Sequence, residues 1–185
     1  MPRIPLPTPE TMTPEQRRIY DAVVSGPRGR LQGPLRAALH RPELAEKWQQ
    51  FGEILRYRTS LPPRLSELAI LVTARHCHCD LEWHIHEQVA RQAGLASPII
   101  EDIRAGKRPA SADAEALVIF DYADELNRLK NVSEEIYRRA LNLCDVVGVV
   151  ELTALIGYYT MVAMTLNAHG IPLPNGARPP FAAKI

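Results

Sequence analysis

The chain is short of cysteine, has almost no net charge, and lacks any long uninterrupted apolar run. Three cysteines in 185 residues make an odd count, which excludes a disulfide framework and fits thiols in a reducing compartment. A net charge of +1, with acids and bases interspersed, gives no footprint for nucleic acid or an anionic membrane. No run of about eighteen apolar residues, the length a bilayer span requires, is free of polar breaks; the best candidate, 146–166, contains Glu151. The first sixteen residues, MPRIPLPTPETMTPEQ, have no apolar core of a secretory signal. These absences lead to the expectation of a cytoplasmic protein with no nucleic-acid or membrane partner. No segment alternates apolar and polar residues between hairpin turns, which removes the main signal for strands.

Helical periodicity fills the space. Apolar residues make up 46% of the sequence, enough for a sizeable core in one domain. Thr13, with Pro14 and Gln16 behind it, reads as the cap of a helix over 14–24. GPRGRLQGP follows as a loop. Leu44, Trp48, Phe51, Ile54 and Leu55 recur at helical spacing over 43–58. Further helices are expected over 61–75, 80–93 with Gly94 just past the end, 98–105, 112–129 after Ser111, 133–143 and 146–167. Prolines gather in 1–14 and 171–180, so both ends read as extended arms. The division expected is an N-terminal extension with one helix (1–40), a helical domain (41–170) and a Pro-rich C-terminal arm (171–185).

The chemistry concentrates between Glu67 and His86. Eleven residues separate Glu67 from Cys79, two separate Cys79 from Glu82, and three separate Glu82 from His86. At about 100° per residue, Cys79, Glu82 and His86 share one helical face. The turn near 75–78 can bring Glu67 alongside. A buried carboxylate such as Glu67, in the apolar LSELAILV, needs a partner or a raised pKa. Either suits a residue that orients His86 or moves a proton itself. Cys79 would stand at a helix N-terminus, which favours thiolate, whereas Asp80 and Glu82 disfavour it. Arg56, Arg58, Arg64 and Arg75 lie near in sequence, and an anionic substrate would require one or two of them as clamps. Glu151 in VVELTALIG and Cys144 in ALNLCDVVG read as structural. The crowding of His76, Cys77, His78, Cys79, His84 and His86 raises zinc as a rival, but the spacing C-x₂₋₄-C with H-x₃₋₅-H is absent; no metal and no cofactor is expected.

The run Cys79-Asp80-Leu81-Glu82-Trp83-His84-Ile85-His86 resembles the C-x-x-E-W-x-x-H segment of carboxymuconolactone decarboxylases. These belong to one superfamily with the alkylhydroperoxidase D-like (AhpD-like) proteins. The likeness continues through LPPRLSELAILVTAR and ARQAGL, and more weakly through VVELTALIGYYTMVAMTLN. The redox branch carries a second cysteine where this chain has Glu82. The resemblance implies an all-α bundle of the AhpD-like type. It implies a homo-oligomer (dimer, trimer or hexamer) and a cofactor-independent carboxy-lyase-like reaction on a small carboxylated lactone or unsaturated oxo-acid, as in aromatic catabolism. The catalytic set carried by the motif is His86, Glu67, Glu82 and Cys79, with Arg56, Arg75 and Trp83 as substrate-binding candidates. The alternatives are a thiol peroxidase using Cys79, and a non-catalytic oligomer that binds a small molecule.

Overall fold

The structure is a computed structural model and describes residues 1–181. The chain folds into α1 (Pro14–Ser25), α2 (Pro34–Ala38), α3 (Pro42–Tyr57), α4 (Pro63–His76), α5 (Asp80–Gln92), α6 (Ser97–Arg104), α7 (Ala114–Leu129) and α8 (Glu134–His169), with no strand among the described residues. The fold class is therefore all-α, as the periodicity and the resemblance both imply.

α4 is the axle of the bundle. Every residue from Leu65 to Ala74 is buried, Ser66, Glu67 and Thr73 among them, and α5, α6, α7 and α8 pack around it. α1 and α2 pack on α3, and α2 and α3 in turn reach α8. The first residues of the N-terminal arm lie on their own chain, with Arg3 N–H donating to the His169 carbonyl at 2.8 Å. The C-terminal arm brings Phe181 edge-on to Trp83 at 5.2 Å; the expected arm runs to 185, and 182–185 lie outside the described residues.

Local chemistry explains the element ends. Thr13 and Gln16 form a reciprocal capping box at α1. Gly94 sits at φ +88° after α5, where a Cβ would be strained, and lets Leu95 N–H bond back to the Ala90 carbonyl at 2.9 Å. Three details differ from expectation. The loop 26–34 is followed by a five-residue helix, α2, too short to show periodicity. The cap of α7 is Asp113 rather than Ser111, because the Asp113 carboxylate accepts the Ala116 N–H. The two helices expected over 133–143 and 146–167 run on as α8, broken at Asp145, which takes φ 56° and ψ −170°. Its carboxylate accepts the N–H groups of Val147 and Gly148 at 2.7 and 3.1 Å, restarting the helix. α8 is long and apolar enough to cross a membrane, but Leu152, Leu155, Ile156 and Tyr159 are buried within the bundle, as in a core helix.

Candidate active site

α4 and α5 form a helical hairpin joined at 77–79, with His78 in the left-handed region at φ 47°. Glu67 lies ten residues before Cys77 and His86 nine after it, so the hairpin's arms bring the two level. The Glu67 carboxylate and His86 Nδ1 are 2.7 Å apart, both buried. This contact fixes the ring and leaves Nε2 for the cavity that His86 lines. Tyr159 of α8 meets the His86 ring edge-on at 4.8 Å, and Tyr158 meets Tyr159 at 5.3 Å.

Glu82 lies one turn before His86 and is 1% exposed. Both its carboxyl oxygens are buried, with no hydrogen-bond partner among the described residues. An ionised carboxylate so placed costs on the order of several kcal/mol. Burial first, and then the charge of Glu67, push its pKa well above the ordinary carboxylate value. Its surroundings thus favour the neutral acid, next to the Glu67–His86 pair, and it lines the same cavity.

The cavity has a volume of about 110 Å³. Arg56 of α3 reaches it with its stem half-buried and forms no ion pair among the described residues. Burial works against its charge, but Tyr159, Tyr57 and the Glu67 carboxylate outweigh that and hold its pKa above the ordinary guanidinium value. The other arginines of this stretch are paired elsewhere: Arg58 with Glu53, and Arg64 with Asp113 and Glu115.

Three of the residues expected at the site are not brought to this cavity. Cys79 is the N-cap of α5 and 1% exposed, behind Glu82 and outside the cavity lining. Burial and the neighbouring Glu82 push its thiol up to about 12, outweighing the Glu82 backbone N–H, so it is a thiol at neutral pH. Trp83 is one residue, about 100°, round the helix from Glu82; its indole N–H donates to Glu87 at 2.9 Å, and Arg104 stacks on it. Arg75, at the far end of α4 from Glu67, donates to the Arg104 carbonyl at 2.9 Å and packs on Phe181. No group of three or more His, Cys, Asp or Glu among the described residues is arranged to hold a metal ion. Cys77, Cys79 and Cys144 form no disulfide. Cys144 is half-buried, and Glu151 holds Ser60 through the serine N–H and hydroxyl at 2.8 and 2.6 Å, a structural tie between α8 and the turn after α3.

Sequence reasoning did not assign to the site the residues that complete the cavity: Tyr158 and Tyr159 from α8, whose natural reading is core, and Arg28 and Arg30 from the loop after α1. Arg28 Nη2 donates to the Tyr158 hydroxyl at 3.4 Å. Gly52, in the middle of α3, makes this approach possible. A Cβ there would lie 2.0 Å from the Tyr158 oxygen and 2.5 Å from Arg28 Nη2. Glycine inside a helix is otherwise unfavourable by about 1 kcal/mol, and this was the one available signal. Gly52→Ala is expected to cost about 1–3 kcal/mol of stability through overpacking, measured by chemical denaturation, and to displace Arg28 from Tyr158.

Residues 42–125 match the carboxymuconolactone decarboxylase family. No curated protein matches the sequence. Two solved structures are similar across nearly the whole chain. An uncharacterized peroxidase-related protein from Silicibacter sp. TM1040 has a TM-score of 0.77 at 17% identity, covering 94% of this chain and 92% of the other. A peroxidase-related protein with an alkylhydroperoxidase AhpD core, from Ralstonia eutropha JMP134, has a TM-score of 0.74 at 14% identity, covering 94% and 93%. At such identities the likeness concerns the fold. The segment that carries the Glu67–Glu82–His86 hairpin is a domain of the carboxymuconolactone decarboxylase family, and the chain around it has the AhpD-like fold.

Proposed function

We propose that this protein is a cofactor-independent acid–base enzyme acting on a small carboxylated lactone or unsaturated oxo-acid, by decarboxylation or a related proton transfer. The observation that carries this reading is the buried, partnerless Glu82 carboxyl beside the Glu67–His86 pair. A buried acid that no protein group satisfies suits a ligand that accepts its proton in a hydrogen bond.

The steps follow from these positions. Arg56 holds a substrate carboxylate. As CO₂ leaves, the electron pair of the breaking C–C bond moves into the conjugated carbonyl, whose oxygen accepts a hydrogen bond from the Glu82 carboxyl. The resulting enolate takes a proton at carbon from His86, whose ring Glu67 holds in place, and His86 is reprotonated from water. In an isomerisation His86 removes and returns the proton, with the same two partners. Arg56→Gln is expected to raise KM by about tenfold or more with a smaller effect on kcat, because it removes a contact made to substrate and transition state alike; steady-state kinetics on the active substrate measures the split.

The names of the two similar structures favour a second reading, a thiol-dependent peroxidase centred on Cys79. Its support is weaker, because that thiol is buried and protonated and the position three residues on is Glu82. We propose further that the protein works as a cytoplasmic homo-oligomer. The exposed apolar side chains of Leu44, Phe51 and Ile54 on α3 and Val146, Val150, Met161 and Met164 on α8 support self-association.

The test is turnover of metal-stripped protein on a panel of carboxylated muconolactones and related oxo-acids, with peroxide and a thiol reductant run in parallel. CO₂ release or isomerisation in the first arm is the expected result. Activity in the peroxide arm alone, abolished by Cys79→Ser, would replace this reading with the second.

A further inference from the structure

The matched family segment ends at residue 125, yet α8, beyond it, places two tyrosines in the cavity wall. Tyr158 and Tyr159 are neighbours in the chain and project about 100° apart round the helix. The Tyr158 hydroxyl lies against Gly52 of α3 and accepts from Arg28. Tyr159 instead meets the His86 ring edge-on at 4.8 Å.

The Tyr159 ring packs on His86 and Tyr158, and its hydroxyl forms no hydrogen bond among the described residues. Unlike the Glu82 oxygens, that hydroxyl is not sealed off, and the residue lines the cavity. A tyrosine hydroxyl in a protein interior ordinarily has a partner, and a phenylalanine would make the same ring contacts without needing one. The O–H of Tyr159 therefore falls to whatever occupies the cavity.

Its surroundings keep it a donor. Burial raises the Tyr159 pKa well above the ordinary tyrosine value, outweighing the Arg56 guanidinium, and the Glu67 carboxyl adds to the rise. The phenol keeps its proton at neutral pH and donates without transferring it. Arg56, Glu67 and Glu82 all act on this group electrostatically, so it stands among the residues assigned to the reaction. Two donors then flank the imidazole from different helices. One is the Glu82 carboxyl, a turn before His86 on α5; the other is Tyr159, against the His86 ring from α8. An enolate oxygen has lone pairs for both. A carboxyl kept neutral by burial, together with a tyrosine hydroxyl, makes an effective oxyanion hole.

We infer that the Tyr159 hydroxyl is a further catalytic donor, which shares with the Glu82 carboxyl the substrate oxygen on which charge builds, so that the site binds conjugated oxyanions such as phenolates through this O–H. This rests on the acid–base reading for the reaction in which that oxygen becomes charged. No bond to Tyr159 forms or breaks. Its hydrogen bond strengthens as the carbonyl becomes an enolate, and so favours the transition state over the bound substrate.

An unreactive phenolate tests the donor apart from the chemistry. The full-length protein is titrated calorimetrically at pH 8 with 4-nitrophenolate and with nitrobenzene, which lacks the oxygen. The wild type is expected to bind the phenolate about tenfold or more tighter. Tyr159→Phe is expected to lose most of that preference while binding nitrobenzene as before. The bound phenolate should absorb at longer wavelength in Tyr159→Phe than in the wild type, having lost a hydrogen-bond donor. A residue that only packs on His86 would not move this band. On the active substrate, Tyr159→Phe should lower kcat by about tenfold or more with KM little changed. Equal binding of the two probes by the wild type would overturn the inference. So would a preference that Tyr159→Phe retains, which would mean that the arginines alone hold the anion. Neither probe reacts, so the two claims fail separately. A phenolate preference that depends on Tyr159, without turnover on the lactone panel, would sink the acid–base reading and leave the donor. Turnover with no such dependence would do the opposite.

Discussion

Glu82→Gln is expected to melt at a higher temperature than the wild type at pH 8 and to turn over more slowly. Burial and the adjacent Glu67 charge raise the pKa of Glu82 in the folded protein far above its ordinary value of 4.5. Above pH 4.5 the unfolded chain has released this proton while the folded protein keeps it. The folded state then binds more protons than the unfolded state, and stability falls as pH rises, until the raised pKa is passed. The slope from one such group is at most about 1.4 kcal/mol per pH unit. Glutamine has the same shape and no proton to lose, so its advantage opens above pH 4.5 and closes below it. The same substitution exchanges the O–H that stabilises the developing enolate for an amide N–H, which still donates, so the rate is expected to fall by less than the about 10²–10³ that loss of such a donor costs. Melting curves of both proteins from pH 4 to 9, with turnover measured alongside, give the two halves of this prediction. Parallel stability profiles would mean that Glu82 is ionised in the native protein.

The second large effect concerns the pair behind Glu82. His86→Ala is expected to reduce kcat by about 10²–10⁴, the usual contribution of a positioned general acid or base. Glu67→Gln should approach the same loss while preserving the shape of the core. The carboxylate and imidazole work as one unit, joined at 2.7 Å, so the double variant should be scarcely worse than either single one. Cys79→Ser, at a protonated thiol outside the cavity lining, should leave kcat within roughly tenfold of the wild type. Single-turnover kinetics on the four variants separates these outcomes. Additive losses for His86 and Glu67 would mean that the two do not act together.

What could be read from the residues, and what could not, divides along physical lines. Local signals were legible. Thr13 with Gln16, Pro42 and Gly94 mark helix ends by hydrogen bonds and dihedral limits that act within a few residues. The Glu82–His86 stripe follows from helical periodicity, and Glu67 could be added because a short turn makes α4 and α5 neighbours. Proximity in sequence misled for Arg75 and Trp83: each is near the motif but turned by helix rotation toward Arg104 and Phe181. The residues not assigned to the site, Arg28, Arg30, Tyr158 and Tyr159, come from segments more than twenty residues from the motif on either side, and only the packing of α2 and α3 onto α8 brings them in. Gly52 was the trace of that packing, visible as a glycine in a helix interior but not interpretable without knowing what approaches it.

The neutral acid is the centre of the account, and infrared spectroscopy reads it directly. The spectrum of the wild type at pH 7 minus that of Glu82→Gln should contain the carbonyl band of a protonated, partnerless carboxylic acid. That band should persist as pH is raised well above the ordinary carboxylate range, and it should shift when a carboxylated ligand enters the cavity. A difference spectrum showing only carboxylate bands at pH 7 would mean that Glu82 is charged, and the proton-transfer site as described would be wrong.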